Sequence, residues 1–308
     1  MIMTFFWTPL ADILRYDYPR DYRVFYPIFY WGFCLMDVAM DIFYKNYQIR
    51  QRQNEENLEN EVQEAVAGTK NLMIHSVTAI SQLIDAKDRY TREHSQRVAE
   101  YSRLIADYMR GGCASGEELE LIYRSGLLHD IGKPETLTVD EDGTTHFHGH
   151  PAVGEELARR ILRRLRFDND TVAVVTRLVR YHDYGNDVTP DLRIVRRAVN
   201  KIGEDIFPLL FPVRHADILA QSDYLRAEKL ENLELWKQLY EEMLEKKQCV
   251  SLKTLAVTGR DLIAMGMKPG RELGDMLQKL LELVLEHPEQ NTREQLLEKA
   301  GELAAGKE

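Results

Sequence analysis

Cysteine is nearly missing from this 308-residue chain: Cys34, Cys113 and Cys249 are odd in number, far apart and form no CxxC pair. That excludes a disulfide framework and a thiolate zinc site, and it fits a reducing compartment. No GxxxxGK[ST] or GxGxxG stretch occurs, so a glycine-rich loop cradling a nucleotide is not expected. No isolated Ser-His-Asp or Cys-His arrangement suggests a side-chain nucleophile. Strand-like alternation is almost absent; only TLTVDEDGTTHF reads as a hairpin or loop. No basic n-region runs into an apolar core and a small-residue cleavage site, so a cleaved secretory signal is not expected; with the cysteine usage, the main domain is expected to be cytoplasmic.

What is present is the composition of an ordinary soluble globular protein, 44% hydrophobic and 29% charged. The net charge of −10 argues against indiscriminate adhesion to nucleic acid or anionic lipid. Helical periodicity runs through 91–110, 117–131, 152–166, 171–182, 191–202, 208–226 and 231–247, preceded by a long proline-free helix from about residue 45. In the first of these, Val98, Leu104, Ile105 and Met109 are expected to face a core. The fold class is all-α, a helical bundle with a long N-terminal helix and a small C-terminal helical subdomain.

The expected organisation is an N-terminal aromatic segment and connector over 1–67, a metal-binding domain over 68–247 and a helical subdomain over 248–308. Residues 24–44 are about long enough to cross a bilayer, but they carry Asp37 and Asp41 on one helical face, and Pro27 interrupts their start. They read as an aromatic packing or interfacial helix, with membrane contact or a span as the alternative. The polar stretch 45–66 reads as a solvated connector, or as a stalk through which two copies pair.

LLHDIGKP, residues 127–134, sets His129 and Asp130 behind Gly126, Leu127 and Leu128. Burying an unpaired carboxylate is costly, so a metal or counter-charge is expected beside it. Partners exist on other helices: His94, His150, His182 and Asp217, with Asp183 and the loop residues His146 and His148 as spectators or late ligands. Imidazole with carboxylate suits a divalent ion, Mn, Fe, Ni, Co, Mg or Zn, in one or two copies. Lys133, one turn past Asp130, is placed to meet a phosphate oxygen.

This H…HD…D pattern resembles the HD superfamily of metal-dependent phosphohydrolases. The resemblance implies an all-helical fold in which His94, His129, Asp130 and Asp217 hold one ion, while Asp130, His150 and His182 hold a second. Residues 84–106, IDAKDRYTREHSQRVAEYSRLIA, are similar to the opening of HD-GYP cyclic-dinucleotide phosphodiesterases, although YHDYGNDVTP replaces the expected HHE…GYP stretch. From about 120 to 300 the chain more closely resembles the HD-containing C-terminal half of bacterial tRNA CCA-adding enzymes. LLHDIGKPETLTVDEDGTTHFHGHPAVGEELARRILRRLRFDND and SLKTLAVTGRDLIAMGMKPGRELGDML carry this likeness. Residues 1–90 lack the Gly-Ser loop and Asp-x-Asp pair of a nucleotidyltransferase head, so nucleotide addition is not expected.

Arg159 to Lys201 holds eleven Arg or Lys against five Asp. Either this is a solvated face paired with acids, or it draws a phosphate-rich substrate, with Arg97, Arg163 and Arg180 as candidate contacts. The expected activity is metal-dependent hydrolysis of a phosphomonoester or phosphodiester of a nucleotide or RNA end, such as a 2′,3′-cyclic phosphate. A cyclic-dinucleotide phosphodiesterase is one alternative. A signalling or RNA-docking module without turnover is the other.

Overall fold

A computed structural model describes residues 20–85 and 93–305, with side chains described for 30–83 and 93–305. The break at DAKDRY lies mostly outside these residues. The described chain is almost wholly helical, with one two-stranded antiparallel hairpin. It divides into two units, Met1–Asn71 and Leu72–Glu308.

Helix α1 covers Arg20–Asp85 and runs through Pro27 without a break. The expected interruption does not occur, because one interior proline removes a single ladder hydrogen bond, a loss that a long helix tolerates. In the first unit its apolar side chains, Trp31, Phe33, Leu35 and Phe43 among them, are exposed. No described helix is long and apolar enough to cross a membrane.

The second unit continues with α2 (His94–Met109), α3 (Gly116–Leu128) and a one-turn α4 (Lys133–Thr136). Strands β1 (Thr138–Val139) and β2 (Thr145–His146) then form the hairpin, in register Thr138 with His146 and Val139 with Thr145. Helices α5 (His150–Arg164), α6 (Asn169–Tyr181), α7 (Leu192–Ile202), α8 (Phe207–Ala220) and α9 (Arg226–Glu245) complete the bundle. Side-chain caps set several starts. Ser115 accepts from the Glu118 amide, Asp168 from Thr171 and Asp191 from Ile194, each satisfying an amide that the helix itself leaves unpaired.

Two expectations fail here. Periodicity ran one helix over 208–226, yet α8 stops at Ala220. Leu225, left-handed at φ 53°, starts α9 at Arg226, whose side chain binds back to Asp223 and the Gln221 carbonyl. Nor do Leu104 and Met109 face a core, being 63% and 39% exposed. The buried face of α2 is instead made of His94, Ser95, Val98, Ala99, Ser102 and Ala106. Small residues let backbones approach: a Cβ on Gly126 of α3 would lie 2.6 Å from the Ala99 Cα. Periodicity favoured the bulky residues, whereas close packing selected the small ones.

One core joins the end of α1 to α3, α5 and α6 through Val77, Leu127, Leu128, Leu162, Val175 and Val179. A second joins α6 to α9 around Ile202, Phe207, Phe211 and Trp236. The C-terminal segment has its own core, Leu262, Leu280, Leu281, Val284 and Leu296, from α10 (Gly259–Ala264), α11 (Arg271–Glu286) and α12 (Arg293–Ala305). Each fully buried Leu or Val contributes roughly 1.5–3 kcal/mol.

Buried Arg196 of α7 ties this segment to the bundle. It donates to the Leu285 carbonyl at 2.8 Å and the Glu286 carbonyl at 3.3 Å, acceptors left over at the end of α11, and to Gln248 Oε1 at 3.0 Å. Arg196→Met should destabilise the protein by about 2–4 kcal/mol, because these acceptors lose their donor in a buried setting. Chemical denaturation checks this; a change below ~0.5 kcal/mol contradicts the role.

Candidate metal centre

Most candidate ligands sit at helix ends, where the local sequence allows a turn into the site. His94 opens α2 after Glu93, itself left-handed at φ 61°. His150 opens α5 after Gly149 at φ 80°, a conformation that glycine adopts without strain. His129 and His182 follow the last turns of α3 and α6, and Asp217 projects from within α8. Gly132 brings the turn after Asp130 onto α5; a Cβ there would lie 2.2 Å from the His150 carbonyl and 2.7 Å from the Gly154 nitrogen.

These residues meet in two groups that could each hold a metal ion. His94, His129 and Asp217 form one, and Asp130, His150 and His182 the other, with donor atoms in each group within 4.8 Å of one another. Asp130 faces both. Its Oδ2 lies 3.1 Å from His129 Nε2 and 3.7 Å from His94 Nε2, while its Oδ1 lies 3.4 Å from His150 Nε2 and 3.7 Å from His182 Nε2. Asp217 Oδ1 lies 3.2 Å from His94 Nε2 and 3.5 Å from His129 Nε2. His129 and Asp130 are only 1% and 8% exposed.

Three imidazoles are locked in one orientation. His129 Nδ1 donates to the Gly126 carbonyl at 2.7 Å, His150 Nδ1 to Phe147 at 3.0 Å and His182 Nδ1 to Val179 at 2.8 Å. A carbonyl only accepts, so each Nδ1 carries a proton and each ring turns its Nε2 inward, the nitrogen that ligates once it is free of its own proton. His150 Nε2 and His182 Nε2 consequently face each other at 3.3 Å. His129 Nε2 and Asp217 Oδ1 are buried without a hydrogen-bond partner. Opposed lone pairs and orphaned buried acceptors are the donor set that a divalent ion satisfies, so the residues fit the group.

The electrostatics agree. Burial pushes the His129 pKa down, but Asp130 and Asp217 outweigh it and raise it to about 10, so these carboxylates favour a positive charge at His129 Nε2, either a proton or an ion that replaces it. Burial opposes the charged form of both carboxylates, yet neighbouring groups, His129 foremost, hold each well below the usual carboxylate range. Burial, assisted by His129, depresses His182, keeping it neutral and ready to ligate. The pocket is therefore built for positive charge.

Around the ligands, Gln221 Nε2 donates to Asp217 Oδ2 at 2.8 Å, and Lys229 Nζ donates to Gln221 Oε1 at 2.9 Å. This fixes Asp217 with its other oxygen toward His94. Gln221→Ala should weaken metal binding about 10- to 100-fold while the ligands stay in place. Competition with a fluorescent chelator reads this, and an unchanged affinity would dismiss the orienting role. Lys133 Nζ donates to Asp130 Oδ2 and lies 5.5 Å from the Phe147 ring centroid. Burial lowers its pKa, but Asp130 more than compensates, keeping it cationic.

The remaining candidates are placed differently from one another. Arg163 is thirteen residues along α5 from His150, a helical rise of about 20 Å, so the structure does not bring it to the ligands. Arg180 lies 3.8 Å from Glu155, and Arg97 is half-buried one turn past His94. Arg159, Arg177, Arg193 and Arg197 pair with Glu155, Asp205 and Glu286. Much of the basic stretch is thus a salt-bridged face. His146 binds Asp140 at 2.7 Å and stacks on His148, outside both groups; Asp183 Oδ2 lies 3.9 Å from His150 Nε2, at the edge of one. Gln221, Lys229 and Arg214 were missed. Arg214 carried the same signal as Asp130, a charge on the apolar face of a helix.

Parts of the chain are similar to known proteins. The CC-adding tRNA nucleotidyltransferase of Thermus thermophilus is 36% identical over 162 residues, 51% of this chain and 34% of that protein. The A-adding tRNA nucleotidyltransferase of Deinococcus radiodurans is 32% identical over 163 residues, 51% of this chain and 36% of that protein. The 3′3′-cGAMP-specific phosphodiesterase 3 of Vibrio cholerae is 46% identical over 57 residues, 18% of this chain and 12% of that protein. The chain thus spans about a third or less of the length of these relatives. The HD domain family matches residues 91–302, more than half of the chain and every candidate ligand described above, so this protein belongs to the HD domain family.

Proposed function

We propose that this chain is a metal-dependent phosphohydrolase acting on a phosphate ester of a nucleotide or an RNA end, a 2′,3′-cyclic phosphate being the leading substrate type. The observation that carries the reading is Asp130, one oxygen turned to each ligand group. His94, His129 and Asp217 would hold one divalent ion and His150 and His182 another, with Asp130 serving both. An ion held there supplies Lewis acidity toward a phosphate oxygen and lowers the pKa of bound water toward neutrality.

The side chains do the rest. Asp130 and Asp217 present fixed negative charge, and the Nδ1 tethers keep three imidazoles from rotating away. Lys133, anchored on Asp130 and only 29% exposed, retains N–H groups for a phosphate oxygen and offsets charge that develops there. The relative named as a cGAMP-specific phosphodiesterase supports a diester substrate. The two named as tRNA nucleotidyltransferases support a nucleotide or RNA-end substrate.

The test is a panel of 2′,3′-cyclic nucleotides, nucleoside monophosphates and a cyclic dinucleotide, each with Mn²⁺, Ni²⁺, Co²⁺ and Mg²⁺. Metal-dependent release of product from at least one is expected. Silence across the panel with metal bound would favour a docking or signalling module.

A further inference from the structure

A cavity of about 460 Å³ opens beside the ligands, lined by His182, Asp183, Arg214, Asp217 and Lys229 among others. Arg214 is one turn before Asp217 on α8 and only 6% exposed. Its Nη2 donates to Asn186 Oδ1 at 2.8 Å, its Nε is buried without a partner, and no carboxylate among the described residues pairs with it. Its Cζ sits 5.8 Å from the Trp236 ring centroid. Burial lowers its pKa to about 10, with Asp183 and Asp217 opposing, so it stays cationic at neutral pH. A buried guanidinium is costly unless its donors are used, and a planar fork on a polar cavity is suited to phosphate oxygens. The acidic residues Asp187 and Glu228, by contrast, are exposed at the rim.

Resting on the phosphohydrolase reading, we propose that Arg214 receives a second, non-reacting phosphate, so that the preferred substrate carries two phosphate groups. The reacting phosphate lies at the ligands with Lys133, and the adjacent internucleotide phosphate enters the cavity and meets the Arg214 fork. Mononucleotides fill only the first position. The site therefore selects an oligonucleotide end or a dinucleotide over a single nucleotide.

The test is calorimetric binding of adenosine 3′-monophosphate and of adenylyl-(3′→5′)-adenosine 3′-monophosphate to the metal-loaded full chain. The dinucleotide should bind about tenfold or more tightly, the scale of a charge-assisted hydrogen bond. Arg214→Gln should remove that preference without changing mononucleotide affinity or metal content, and Arg214→Lys, which keeps the charge and loses the fork, should retain part of it. No preference in the unmodified protein overturns the proposal, as does an equal effect of Arg214→Gln on both ligands. Because binding is read without turnover, a preserved preference with no hydrolysis of any ester would sink the phosphohydrolase reading and leave the anion site standing.

Discussion

Asp130→Ala should remove metal from both ligand groups at once and lower metal-dependent turnover by on the order of 10³ or more, since Lewis-acid stabilisation is worth several kcal/mol. The reason is geometric: each oxygen of this one carboxylate faces a different pair of imidazoles. Deleting His150, which serves one group, should spare part of the binding; deleting Asp130 should not. Helix content should be unchanged, because Asp130 lies beyond the end of α3 and caps nothing. Metal analysis with far-ultraviolet circular dichroism checks both halves. An Asp130→Ala protein that keeps its ions and its turnover would remove the basis for the proposed site.

Gly132→Ala should be the most damaging single methyl group near the centre. Its backbone, φ −81° and ψ −15°, suits any residue, so strain in the turn is not the issue. The added carbon would meet backbone, the His150 carbonyl at 2.2 Å and the Gly154 nitrogen at 2.7 Å, and backbone does not swing aside as a side chain can. The start of α5 must shift, carrying His150 from Asp130 and His182. A loss of about 3 kcal/mol or more of stability is expected, at the upper end for overpacking. Weakened metal binding should accompany it, falling mainly on the His150 group. Denaturant melts and metal titrations together test this; wild-type stability and affinity would mean that the close approach does not position the site.

Much of the centre was legible because its residues violate their surroundings. A His-Asp pair behind two leucines is a buried charge that demands a partner, and the partner histidines begin or end helices whose limits the periodicity roughly marked. Helix content followed from the missing strand alternation, while TLTVDEDGTTHF, open in sequence between hairpin and loop, forms a hairpin. Other features depend on the third dimension. Gln221 is an unremarkable polar residue until α8 turns it onto Asp217. Arg163 looked close to His150 in sequence, but thirteen helical residues carry it away. Leu104 looked like core because it is large, whereas α2 packs through Ala99 and Ser102. Nothing in a one-dimensional pattern states how closely two backbones approach.

The central claim is that Asp130 is shared between two metal positions. Anomalous diffraction from crystals soaked in Mn²⁺ tests it directly. Two peaks are predicted, one among His94, His129 and Asp217 and one beside His150 and His182, with the Asp130 carboxylate between them. Absence of a peak in either group, or peaks that leave Asp130 uncoordinated, would contradict the account.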